Sequence, residues 1–133
     1  MSTYRLKNLL APRSVALVGA SPRRNSVGRG ILNNIGKAKF TGEFGLVNSR
    51  YSEIDGVATV GGLSKLPFVP ELVVLTAPAK SIPGLIDEAG RRGTAGAVIV
   101  SAGLGHGPGS LAEEAERAMR VFPRICRTRE TWR

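Results

Sequence analysis

Residues 14–30 read SVALVGASPRRNSVGRG, and their types and spacing suit the capture of a phosphate. The apolar run Val15-Ala16-Leu17-Val18 stops at Gly19, a stretch rich in small residues follows, and Ile31, Leu32 and Ile35 then recur at helical spacing. A strand, a small-residue loop and a helix opening in that order bind anions in α/β folds. The first helical amides have no internal acceptor, and the positive end of the helix dipole faces the ligand. Gly19, Ala20 and Ser21 keep the first turn small enough for a cofactor to approach the backbone, while Ser26, Val27 and Gly28 supply the helix N-terminus. Gly19→Val is therefore expected to abolish binding by blocking that approach while leaving a folded protein. The competing possibility is a plain connecting turn. Neither G-x-G-x-x-G nor G-x-x-x-x-G-K-[ST] is present, so the loop matches no standard nucleotide fingerprint.

The second strand ends in Val47-Asn48-Ser49-Arg50-Tyr51, with no Asp or Glu to receive a nicotinamide cofactor's ribose. Arg50 could instead meet a phosphate on the adenosine ribose, as NADP or coenzyme A presents; the alternative is a solvated surface arginine. His106, the single histidine, is flanked by glycines and has no evident orienting partner for base catalysis. Ser21 and Ser101 lack a G-x-S-x-G elbow and suit hydroxyl donors to a phosphate or carbonyl. Asp55, Asp87 and Glu88 show no metal-ligand spacing, and Cys126 stands alone. No catalytic or metal-binding constellation is expected.

The elements that would position these residues alternate along the chain. Phe44–Val47 and Ala58–Val60 read as short strands, and Leu63–Leu66 as one helical turn before Pro67. Leu72–Thr76 and Ala97–Val100 are continuous apolar runs, the mark of strands covered on both faces. Ile82, Leu85, Ile86 and Ala89 fall at helical spacing between Ser81, a candidate N-cap, and Gly93, a candidate stop. Leu111, Ala115, Ala118, Met119 and Phe122 mark a last helix. The alternation predicts an α/β fold with a doubly wound parallel sheet, in which Gly19–Gly30, Asn48–Tyr51, Thr76–Ser81 and Ser101–Gly109 share the ligand-binding edge. The closing FPRICRTRETWR is polar where another apolar strand belongs, so the final strand is expected to be missing or degenerate. One domain over residues 1–123 and a basic, frayed tail over 124–133 follow.

The 133 residues, 42% hydrophobic with 17 Gly and 8 Pro, suit one compact domain with many tight turns. The apolar runs are too short to span a bilayer, no signal peptide is evident, and one cysteine excludes a disulfide framework; a cytoplasmic location is expected. Residues 117–133 carry six arginines against Glu130, so more than half of the net charge of +9 sits in that segment. The mildly basic remainder suits a phosphorylated small molecule better than nucleic acid, for which no reader motif is present.

Four segments occur in matching order: GASPRRNSVGRGILNNI, Val47–Tyr51 with Glu53-Ile54-Asp55-Gly56, Thr76-Ala77-Pro78-Ala79, and Val98-Ile99-Val100-Ser101-Ala102-Gly103. Together they resemble the N-terminal CoA-binding domain of the NDP-forming acyl-CoA synthetases (acetate–CoA ligase, ADP-forming), relatives of the succinyl-CoA synthetase alpha subunit. The resemblance covers residues 6–120 and implies a Rossmann-like fold holding coenzyme A at the strand ends. It implies that Gly19, Ala20, Ser21, Val27 and Gly28 line the first loop. Asn48 and Tyr51 would lie near the nucleotide, and Thr76, Ala77, Pro78, Ser101, Ala102 and Gly103 would flank the pantetheine or phosphates. The chain departs from the family in lacking its Gly-Pro-Asn-Cys segment, its phosphorylated histidine and its ATP-grasp domain, which suggests a truncated or frameshifted product. A coenzyme A-binding module, not catalytic alone, is the leading expectation. The alternatives are one part of a split acyl-CoA synthetase acting with a separate ATP-grasp chain, an NADP-binding oxidoreductase fragment, or a non-functional remnant.

Overall fold

The computed structural model describes residues 10–121 together with Lys7 and the pair Cys126–Arg127. Its centre is a seven-stranded sheet in the order β3-β4-β2-β1-β5-β6-β7. The strands are β1 (Ser14–Val18), β2 (Glu43–Val47), β3 (Glu53–Ile54), β4 (Val57–Val60), β5 (Leu72–Leu75), β6 (Gly96–Ile99) and β7 (Cys126–Arg127). All are parallel except β3, which returns antiparallel on β4. Setting β3 aside, the chain visits the sheet in the doubly wound order, and its direction of travel reverses between β1 and β5.

The continuous apolar runs become strands because both faces of the sheet are covered. Every residue of β1 and β5 is buried. On one face Ala16, Val18, Val73 and Leu75 pack with Ile82, Ile86 and Ala89 of α2 (Ile82–Arg92) and Ala115 of α3 (Leu111–Val121). On the other, Val15, Leu17, Leu46 and Val74 meet Ile31 and Leu32 of α1 (Val27–Lys37). The period of two along β1 thus divides its side chains between two apolar layers.

Local chemistry sets the helix ends. Ser26 Oγ accepts the Arg29 amide at 3.1 Å and caps α1. Gly93, at φ 95°, terminates α2 in the left-handed conformation expected of a glycine stop. Ser81 occupies the N-terminal position of α2 without a side-chain capping bond, unlike the expectation for it. Before α3, Ser110 Oγ accepts the Glu113 amide at 3.2 Å, and Glu113 Oε2 reaches back to the Gly109 amide at 2.6 Å.

Two elements differ from the sequence expectation or sharpen it. Asp55 and Gly56, at φ 53° and 80°, make a two-residue turn joining β3 to β4, a hairpin not anticipated from the sequence. Arg29 Nη1 of α1 lies 2.7 Å from Asp55 Oδ2, an ion pair without hydrogen-bond alignment, so the turn is tied to the helix. The degenerate last strand is the two-residue β7, pairing Gly96 with Cys126 and Ala97 with Arg127. The rest of the 124–133 tail lies outside the described residues. Among the described residues, no helix is long and apolar enough to cross a membrane.

Thr94 is 1% exposed, and its Oγ1 has no hydrogen-bond partner among the described residues. The isosteric Thr94→Val removes a desolvated hydroxyl without opening a cavity and is expected to stabilise the fold by about 1 kcal/mol. A circular-dichroism melt should show the midpoint rise by about 4 °C; a fall would mean that the hydroxyl is satisfied in solution.

Candidate functional site

The carboxyl ends of β1, β2, β5 and β6 are joined edge to edge by hydrogen bonds that continue past the strands. The Gly19 amide donates to Val47 O at 3.0 Å, the Thr76 amide to Val18 O at 2.8 Å, and the Val100 amide to Leu75 O at 2.8 Å. Three side chains add to these. Asn48 Nδ2 donates to Ala20 O at 2.5 Å, Thr76 Oγ1 to Val18 O at 2.9 Å, and Ser101 Oγ to Ala77 O at 2.5 Å. Three carbonyls of this rim are therefore capped by side-chain donors.

The crevice between β1 and β5 is where the chain's direction reverses, and there the glycines have specific tasks. Gly19 sits at φ 90°, and a Cβ on it would lie 2.7 Å from Ala77 N and 2.9 Å from Thr76 C. A Cβ on Gly28 would lie 2.9 Å from Gly19 O and 3.1 Å from Thr76 Oγ1. Both positions hold backbone against backbone, which lets the N-terminus of α1 sit directly on the turn after β1. The expectation that Gly19→Val would leave a folded protein is thus corrected: the space beside Gly19 is filled by the Thr76–Ala77 backbone, and side chains are rarely tolerated at that φ.

The N-terminus of α1 fits an anionic group. Ser26 Oγ takes the Arg29 amide and Ser26 O the Gly30 amide, whereas the amides of Val27 and the buried Gly28 have no acceptor among the described residues. Val27 itself is 56% exposed, an apolar surface beside those donors. The loops Gly19–Ser26, Asn48–Ser52, Thr76–Ser81 and Ser101–Ser110 contain Arg23, Arg24, Arg50 and Lys80 and no carboxylate. All four cations are exposed. The sequence points to Arg50 alone among them, although the absence of acid from these loops is equally readable.

The residues expected at the site divide in three. Gly19, Ala20, Gly28, Thr76 and Ala77 meet at the crevice, with Ser21 and Val27 in the connecting loop and first turn; Ala20 is fully buried and Gly28 and Ala77 are nearly so. Asn48 and Ser101 bind neighbouring carbonyls, and Ser21 Oγ accepts the Arg23 amide at 3.2 Å, so these polar groups shape the loops. Arg50, Pro78, Ala102 and Gly103 are exposed on the same edge, whereas the half-buried Tyr51 packs against the apolar layer beneath α1. Among the described residues no group of His, Cys, Asp or Glu could hold a metal ion. His106 is exposed on the glycine-rich loop after β6.

A model of the CoA binding domain family matches residues 13–124. The chain belongs to the CoA binding domain family. The family match and the acyl-CoA synthetase relatives support coenzyme A binding. This CoA binding domain is 37% identical over 99 residues to ADP-forming acetate–CoA ligase I of Archaeoglobus fulgidus, covering 74% of the chain and 14% of the ligase. Its fold superposes with TM-score 0.79 and 28% identity on the dinucleotide-forming acetyl-coenzyme A synthetase 1 of Ca. Korarchaeum cryptofilum in its apo form, covering 88% of the chain and 26% of the synthetase. The chain thus spans about one seventh of the ligase's length and a quarter of the synthetase's. A conserved hypothetical protein of Pyrococcus furiosus is similar over most of its own length, at TM-score 0.64 and 27% identity, with 80% of this chain and 88% of that one covered.

Proposed function

We propose that the chain is a coenzyme A-binding module, not catalytic alone, that holds its ligand across the β1–β5 crevice. In this reading the Val27 and Gly28 amides receive the diphosphate, Arg23, Arg24 and Lys80 neutralise it, and Arg50 meets the phosphate on the adenosine ribose. Pro78, Ser101, Ala102 and Gly103 flank the pantetheine arm. The observation that carries the proposal is the pair of amides without an acceptor among the described residues at the first turn of α1, on the edge that carries the exposed cations. When bound, coenzyme A supplies a thiol for acyl transfer. The chain's own residues bind and orient it, and among those described no acid–base or nucleophile pairing accompanies it. A chain that spans one seventh of an acetate–CoA ligase also suits the CoA-binding part of a split acyl-CoA synthetase, with a separate ATP-grasp chain supplying the chemistry.

Calorimetric titration with coenzyme A, dephospho-coenzyme A and NADPH tests the proposal. Saturable one-to-one binding is expected for coenzyme A, weaker by about tenfold for the dephospho form, the value of one charge-assisted hydrogen bond. A clear preference for NADPH, or no heat with any of the three, would overturn it.

A further inference from the structure

We infer that Asn48 is a positioning residue that sets the ligand's phosphate selectivity without touching it, by fixing Arg50; this rests on the proposed contact between Arg50 and the ribose phosphate. Both ends of the Asn48 amide are engaged within the protein. Nδ2 donates to Ala20 O at 2.5 Å and Oδ1 accepts the Arg50 amide at 2.7 Å, while the Asn48 backbone amide donates to Val60 O at 3.0 Å. One side chain therefore joins the loop after β1 to the loop after β2 and holds the backbone of Arg50 two residues on, the local turn that Asn favours.

The far end of the Arg50 loop is held too. The Thr59 amide donates to Ser52 O at 2.9 Å, and Thr59 Oγ1 donates to Tyr51 O. Between these two attachments Arg50 is exposed, and among the described residues no carboxylate pairs with it. Doubly wound dinucleotide folds place an acid at the end of the second strand to bind ribose hydroxyls, and such an acid repels a ribose phosphate. Here that position holds a neutral amide turned into the protein, with a cation held by its backbone beside it. Selectivity for a phosphorylated ribose then depends on the Asn48 turn as well as on the Arg50 charge.

The test is the ratio of affinities for coenzyme A and dephospho-coenzyme A in the full chain, measured by calorimetry for the wild type, Asn48→Ala, Asn48→Ser, Arg50→Ala and the double variant Asn48→Ala/Arg50→Ala. Asn48→Ala is expected to lower the ratio several-fold, and Asn48→Ser, whose hydroxyl keeps a weaker form of the turn, to give an intermediate ratio. In the Arg50→Ala background, Asn48→Ala should leave the ratio unchanged, because both act through one contact. If Asn48→Ala fails a thermal-melt check, Asn48→Ser carries the comparison alone. Equal loss of both ligands in the Asn48 variants, or a further fall of the ratio in the double variant, would overturn the inference. A wild type with no preference for coenzyme A over its dephospho form would instead overturn the Arg50 contact, and the inference with it.

Discussion

Gly19→Val is expected to lower stability by about 3–5 kcal/mol, combining left-handed backbone strain with overpacking. A Cβ at this position would lie 2.7 Å from Ala77 N and 2.9 Å from Thr76 C, atoms of the neighbouring strand end that cannot rotate away. Relief would require β1 and β5 to separate at the crevice, and the Thr76 amide and hydroxyl both bond Val18 O there. The loss is a large part of the 5–15 kcal/mol that holds a typical domain together. Circular-dichroism melts should therefore show a midpoint lower by at least about 10 °C. Gly36→Ala is the matched control: that glycine lies in the helix α1, and a Cβ there meets nothing within 4 Å. It should leave the midpoint unchanged or raise it by a few degrees, since Ala favours helix over Gly by about 1 kcal/mol. A Gly19→Val protein that melts like the wild type yet fails to bind coenzyme A would restore the ligand-approach role and remove the packing one.

Arg50→Ala carries the largest expected effect on binding. The side chain is exposed, has no carboxylate partner among the described residues, and stands on an edge whose loops contain no acid. Its contact with a doubly charged phosphate would be a charge-assisted hydrogen bond, worth about 1.5–3 kcal/mol. Coenzyme A affinity should fall by about tenfold or more, and dephospho-coenzyme A affinity by no more than about twofold. The difference should narrow as salt is raised, because an exposed pair is screened. Equal losses for both ligands would place Arg50 away from the ribose phosphate. Its stability should match the wild type, since the side chain has no partner to lose among the described residues.

Much of the fold was legible because parallel strands covered on both faces need unbroken apolar runs. Val15–Val18 and Leu72–Leu75 could be read directly, and the spacing of Ile82, Ile86 and Ala89 marked one helix face. The hairpin was not legible, because Glu53–Ile54 is too short to display a period of two. Its turn residues, Asp55-Gly56, were the available signal. The candidate ligand-binding edge followed from where the strands stop. The bonds within it did not: nothing in the sequence showed that Asn48 and Ser101 each bind a carbonyl of a neighbouring loop.

By itself the sequence determined the order of the parallel strands and helices, though not the hairpin, together with the edge on which its glycine loops fall and the excess of cations there. Those properties depend on the period of apolar residues and on where small and charged residues interrupt it. Only the tertiary structure decided that Gly19 and Gly28 make room for protein backbone and that Asn48 turns inward. The partners involved, Ala77 beside Gly19 and Ala20 beside Asn48, belong to other strand ends far along the chain. Which main chain lies within van der Waals reach of a missing Cβ is settled only when the sheet assembles.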